Sequence, residues 1–305
     1  MMRKIILSMI FISTFMFADD IYIYSIDNKD AKITPSVIEE AFKKAGFHIS
    51  ENRDMNDPFL KQFGDTDFSV YNLFTVINVN MIKTLLSKAP QSGAFAPQSM
   101  SIWTNKGDTS LNIAFLSKEA MANILSINTS TQEINDNEKL IKSVVESVMK
   151  GGSYKKVSYQ KALVYKPLLS LYDTDVEGSY EERVEEIQML IDDGLKPNGF
   201  VQAGFNNLNY HLNAYGVNEF DFYDVYSICK LKVIYQVAKT RPEAGAFAPC
   251  SLYMYKKSGD DKIHLGFPNV YNWLSLLNIT DETAKFELED AQSRMNEILE
   301  IALEN

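Results

Sequence analysis

The most reactive side chains in the sequence are two thiols, Cys229 and Cys250, the only cysteines present. In an oxidising compartment an even pair can close a disulfide, and buried thiols serve as small apolar groups. A thiol of lowered pKa is a nucleophile instead, and Cys250 is the candidate for that role. Such chemistry needs a base, and the histidines are His48, His211 and His264. None stands in an H-x-x-x-H, H-E-x-x-H or C-x-x-C spacing, so no metal motif is present. His211, beside Tyr210, could join Cys250 in a folded site, whereas His264 alternates with Ile263 and Leu265 and should face solvent from a strand. No Ser/His/Asp order, G-x-S-x-G, G-x-G-x-x-G or P-loop occurs, and no cofactor is expected. The acidic runs around Glu181–Glu186 and Asp173–Glu177 read as solvated surface.

A second candidate is the segment Gly-Ala-Phe-Ala-Pro, found at 93–97 and again at 245–249. Small residues let a backbone approach a ligand or partner closely, and the phenylalanine supplies contact area. One reading makes it a structural turn whose Phe plugs the core. The other places Phe95, Pro97, Phe247, Pro249 and Cys250 around a ligand pocket, with Phe95 and Phe247 meeting near a twofold axis, because ligand clefts concentrate at domain interfaces.

That repetition extends well beyond the motif. At an offset of 152 residues, 60–127 matches 212–279 without a gap, with 17 identities in 68 positions. They include Tyr71 and Tyr223, Pro90 and Pro242, Ser99 and Ser251, and Gly107-Asp108 and Gly259-Asp260. Two copies of one domain follow, 19–150 and 159–305, joined by a Gly/Lys-rich linker at 151–158. Copy one has Ile77 and Gln98 where copy two has its cysteines, so thiol chemistry would belong to copy two alone.

Each copy repeats one order of elements. Ile21–Tyr24 and Leu168–Tyr172 suit a first strand. A helix follows, capped by Thr34-Pro35 and closed by Gly46 in copy one, and capped by Ser179 with Glu182 and closed by Gly194 in copy two. The runs 68–79 and 220–233 are apolar at both parities and predict a central strand buried on both faces. Beyond the Pro-rich motif come hairpins, 99–104 with 111–116 and 251–256 with 263–267, turning at Gly107 and Gly259. A terminal helix, plainest at Ala284–Leu303, closes each copy. The architecture predicted is α+β: two copies of a small, mainly antiparallel sheet with helices packed on it, pseudo-twofold related.

The helix ending in Gly, the Gly46-Phe47 and Gly199-Phe200 pairs leading into a strand, and P-x-x-G-A-F-A-P-C-S-L-Y-M-Y-x-x-x-G resemble the family of domains of unknown function numbered 302. Copy two follows the motif through Pro249-Cys250, and copy one departs from it at Gln98. The resemblance implies a small α+β domain that pairs with a second copy of itself, here as a covalent pseudo-dimer. It carries over no functional residue.

With 305 residues, 46% of them hydrophobic, the chain can build two cores. Its charge of -10 offers no clustered basic surface for phosphates, which excludes nucleic-acid binding. At the N-terminus Arg3 and Lys4 precede an uncharged apolar run, Ile5–Phe17, then Ala18 and two aspartates. This is the pattern of a secretory signal peptide, cleaved near Ala18, and it predicts a periplasmic or secreted protein with no membrane span in the mature chain. Losing Arg3 and Lys4 leaves 28 basic against 40 acidic residues, a charge of -12. The sequence therefore points first to a non-enzymatic module that binds a small molecule or a protein between its repeats. The competing reading is a thiol-dependent enzyme or redox accessory using Cys250.

Overall fold

The structure is a computed structural model that describes residues 20–157, 159–162 and 166–304. The signal-peptide segment lies outside the described residues. Copy one runs β1 (Ile21–Asp27), α1 (Pro35–Lys44), β2 (His48–Asp54), α2 (Asn56–Phe63), β3 (Phe68–Ile77), α3 (Val79–Lys88), a 3₁₀ turn (Pro90–Phe95), β4 (Gln98–Asn105), β5 (Ser110–Leu116), α4 (Lys118–Leu125) and α5 (Gln132–Val148). A three-residue β6 (Ser153–Lys155) follows. Copy two repeats the order: β7 (Leu169–Asp175), α6 (Tyr180–Leu195), β8 (Val201–Asn207), α7 (Leu208–Asn213), β9 (Phe220–Cys229), α8 (Leu231–Ala238), a 3₁₀ turn (Pro242–Phe247), β10 (Cys250–Lys257), β11 (Lys262–Pro268), α9 (Tyr271–Leu276) and α10 (Glu282–Glu304).

Local chemistry explains most boundaries. Thr34 Oγ1 accepts from the Val37 amide, Pro35 occupies the first helical position, and Gly46 leaves α1 at a φ of 90°. Gly107 and Gly259 turn their hairpins at φ values of 78° and 82°. Three expectations are corrected. The apolar run of β9 stops at Cys229, because Leu231, Val233, Ile234 and Val237 recur at helical spacing and form α8. Gly194 does not end α6; a Cβ there would lie 2.9 Å from Ile298 Cγ1, so it is a close-approach point against α10, and Gly199 makes the exit. The expected linker contains β6, which pairs antiparallel with β1.

Every strand pairing is antiparallel, in the orders β2-β3-β4-β5-β1-β6 and β7-β11-β10-β9-β8. One face of the first sheet lies under its own helices, with Ile38 and Phe42 of α1 and Ile141 and Val145 of α5 clustered with Phe74, Val76 and Ile113. The opposite faces of the two sheets meet at a seam. Each copy seats its 3₁₀ turn on the other's sheet: Tyr71 Oη donates to the Pro242 carbonyl at 3.0 Å, and Tyr223 Oη donates to the Pro90 carbonyl. Ser99 Oγ donates to the Pro249 carbonyl and Ser251 Oγ to the Pro97 carbonyl, at 3.3 and 3.4 Å. The contact is self-complementary, each residue meeting the counterpart of its own partner, which is the rule of a twofold interface. A single buried apolar cluster runs through both copies.

This packing leaves no room at Gly93, where a Cβ would stand 2.7 Å from Cε1 of the fully buried Tyr223. Gly93→Ala should lower unfolding stability by about 2–3 kcal/mol in urea titration, since the ring cannot move without breaking its bond to Pro90. An unchanged midpoint would show that the seam is looser than described.

Candidate functional site

The Gly-Ala-Phe-Ala-Pro segments form the seam. Phe95 and Phe247 are buried, and Phe247 packs on Trp273 with ring centres 5.6 Å apart. Among the described residues no ring contact joins Phe95 to Phe247, and Phe247 packs within its own copy. Pro97 and Pro249, both in cis peptides, give their carbonyls to the seam serines.

A cleft between the copies opens elsewhere. Gln91 of the first 3₁₀ turn faces Tyr172 and Asp173 of β7, Tyr253 and Tyr255 of β10 and His264 of β11 around a hollow of about 310 Å³. A second hollow of about 340 Å³ shares Gln91 and Leu171 with it and reaches Leu125 of α4 and Pro167. Strand alternation aims Tyr253 and Tyr255 to one face, and a stack of rings results: Tyr223 on Tyr255 at 5.1 Å and Tyr255 on His264 at 5.0 Å. Burial pushes the Tyr255 phenol up to about 12 and Tyr253 higher still, so both remain hydrogen-bond donors at neutral pH. His264 is half-buried against the cleft rather than turned to solvent, with Nε2 2.9 Å from Asp260 Oδ2, and that bond holds the Asp260 carboxyl below its usual range. Asp173 pairs with Lys262, and Tyr172 Oη donates to Asn296 Oδ1 at 3.0 Å.

The two cysteines are free thiols on adjacent strands. Cys250 pairs with Ile228, so the two cysteines stand one residue out of register across the strand pair. Burial pushes both thiols up to about 12. Together with Pro249, Trp273, Leu288 and Met295 they border an apolar cavity of about 60 Å³ inside copy two. At the position equivalent to Cys250, Gln98 accepts from Asn137 Nδ2 at 2.7 Å, and Asn137 accepts from Asn78 at 2.9 Å. No hydrogen bond joins Cys250 to a histidine among the described residues; its Sγ lies 3.8 Å from the Phe247 carbonyl.

His211 meets His48 instead, across the seam, with ring centres 4.7 Å apart. Burial and then the neighbouring His48 lower the His211 pKa. The two stand far apart in the chain, and only the pairing of the copies brings them together. Sequence reasoning also passed over Asp224 of β9, which is buried, with Oδ1 lacking a partner among the described residues. Its equivalent in copy one is Asn72, whose Nδ2 donates to Asn52 Oδ1 at 2.9 Å. Aligning the copies exposes the exchange of Asn for Asp, which was the available signal.

Fold and seam together define a covalent pseudo-dimer of one small α+β domain. The chain belongs to the family described as Domain of unknown function DUF302, which matches it twice, over residues 24–148 and 174–302. Among solved structures it is similar to an uncharacterized conserved DUF302 protein from Bacillus stearothermophilus, at 21% identity over 43% of this chain and 95% of that one, with a TM-score of 0.34. No curated protein matches it.

Burial pushes the Asp224 carboxyl up to about 6, so the folded state binds a proton that the unfolded chain releases near pH 4. The resulting stability is complete below pH 4 and is lost as the pH rises through 6. Asp224→Asn, which installs the copy-one residue, should therefore stabilise the protein at pH 7 by about 2 kcal/mol and flatten the change in unfolding midpoint between pH 4 and pH 6. A variant less stable than the parent at pH 7 would show that the carboxylate is solvated in the folded state.

Proposed function

We propose that the protein is an exported, non-enzymatic binding module whose ligand occupies the open cleft between its repeats. The observation that carries this reading is the hollow of about 310 Å³ framed by Gln91 from copy one and by Tyr253, Tyr255 and His264 from copy two. Its size and its place at a domain junction suit a small-molecule site. The stacked rings favour a flat apolar group, while Gln91, the Tyr255 phenol and His264 favour a polar substituent on it. The first eighteen residues support export and cleavage near Ala18. Among the described residues no helix is long and apolar enough to cross a membrane.

The thiol-dependent reading is disfavoured by the charge state of Cys250. A thiol displaced to about 12 supplies almost no thiolate at neutral pH, and the thiolate is the nucleophile. Native alkylation of Cys250 by iodoacetamide should thus be slow at pH 8 and continue to accelerate beyond pH 10. A rate that levels off by pH 8 would restore Cys250 as the working residue.

The cleft itself is tested with p-cresol, a ring bearing one hydroxyl. Titration followed by NMR should give saturable shifts at Gln91, Tyr255 and His264, and Tyr255→Ala should weaken binding at least fivefold. Shifts that do not saturate by about 10 mM, or that fall on other residues, would remove the cleft as the site.

A further inference from the structure

The pseudo-twofold relation creates two equivalent clefts, and the chain fills one of them with its own linker. In copy one, β6 lies along β1 with Lys155 opposite Ile23, Tyr154 opposite Tyr24 and Ser153 opposite Ser25. Tyr154 rests edge-on against Tyr24 at 4.8 Å, and Lys155 Nζ donates to Asn112 Oδ1 at 3.0 Å. Farther along, Tyr159 Oη donates to Glu243 Oε1 at 2.6 Å, with the Arg241 guanidinium 4.3 Å from the ring.

In copy two the counterparts are present and, among the described residues, uncovered. Gln91 stands where Glu243 stands, and His264 where Asn112 stands, at the same offset of 152. Ile23 pairs with Ala114 and Leu171 pairs with Gly266, so Leu171, Tyr172 and Asp173 of β7 are the equivalents of Ile23, Tyr24 and Ser25. Yet β7 is the outer strand of its sheet. The consequence is visible in one pair of residues: Ile23 is 8% exposed and Leu171 is 66% exposed. A strand edge unpaired among the described residues, beside an aromatic cleft, is the geometry that accepts an extended peptide as an added strand.

Charge specifies the peptide further. Asp173 and Asp175 on β7 and Asp260 beside His264 face one lysine, Lys262, which is 3.9 Å from Asp175 and also pairs with Asp173. A lysine placed like Lys155 would arrive next to Asp173 and His264. We propose that the β7 edge binds an extended basic peptide of a partner protein, added antiparallel as β6 is added to β1, with an aromatic residue opposite Tyr172, a lysine opposite Leu171, and a following aromatic side chain entering the cleft at Gln91. This inference rests on the cleft being the binding site and names the class of its occupant.

The test uses the full-length mature protein and a labelled peptide copying Gly152–Tyr159. Saturable binding should appear in fluorescence anisotropy, with NMR shifts on β7 amides. Two peptides N-methylated on complementary alternate residues separate strand addition from side-chain docking. The one methylated on its β7-facing edge should bind about tenfold or more weakly, while the other retains affinity. Leu171→Arg, at an exposed position, should abolish binding, and Asp173→Asn with Asp175→Asn should weaken it several-fold at low salt and little at high salt. Absence of saturable binding, equal loss with both methylated peptides, or shifts confined to β1 would overturn the proposal. Should p-cresol still titrate Gln91 and Tyr255 in that case, the cleft stands as a small-molecule site and only the peptide is lost; failure of both probes takes the cleft with it.

Discussion

The seam holds because each copy must satisfy the other's backbone. A 3₁₀ turn leaves carbonyl groups that its own short helix cannot bond, and burying them between two sheets without partners would cost several kcal/mol. The partners are side chains of the opposite copy: Tyr71 for Pro242 and Tyr223 for Pro90, backed by Ser101, whose Oγ donates to the Pro242 carbonyl at 2.7 Å. The Tyr223 ring passes beside the first turn to reach its carbonyl and leaves no room for a side chain at position 93, while at position 245 a Cβ would meet Ser101 Cβ at 2.8 Å and Leu73 Cδ2 at 2.9 Å. Tyr71 and Tyr223, Pro90 and Pro242, Pro97 and Pro249, and Ser99 and Ser251, which make the reciprocal bonds, are identical between the copies.

A covalent pseudo-dimer cannot stay symmetric at its edges. Twofold pairing generates two equivalent outer strands, β1 and β7, but one connecting segment leaves copy one and enters copy two. It covers the first edge as β6 and then goes on towards the second copy. The unlike exposure of Ile23 and Leu171 is a geometric result of joining the copies in tandem, independent of their individual sequences. Selection for binding would have an open edge and a ready-made cleft to act on.

Duplication, element order and the hairpin turns were legible because they depend on local spacing: positive φ at Gly107 and Gly259, caps at Thr34 and Ser179, and identities at constant offset. Apolar runs were ambiguous where strand passes directly into helix, as between Cys229 and Leu231, since burial on all sides erases periodicity. The motif at 93–97 was legible as special but not as a seam, because the groups it serves are carbonyls whose partners lie some 130 residues or more away, as Tyr223 does from Pro90. The cleft was invisible for the same reason. Gln91, Tyr255 and His264 carry no common motif, and His48 and His211 become neighbours only when the copies close.

Differences between the copies then show where each is free to vary. The tyrosines and serines that bond the opposite turn's carbonyls in both directions, Tyr71 with Tyr223 and Ser99 with Ser251, are held by a reciprocal need. Positions that face a copy's own helices or the open edge carry no such tie. There copy two holds Cys250 for Gln98, Asp224 for Asn72 and His264 for Asn112. Asn112 accepts from Lys155 of the linker and donates to the Trp103 and Ser110 carbonyls of its own copy, whereas at the equivalent position His264 stacks on Tyr255 and pairs with Asp260. The exchange of Asn for His at this position places a hydrogen-bonding aromatic group on the wall of the cleft beside the outer strand β7.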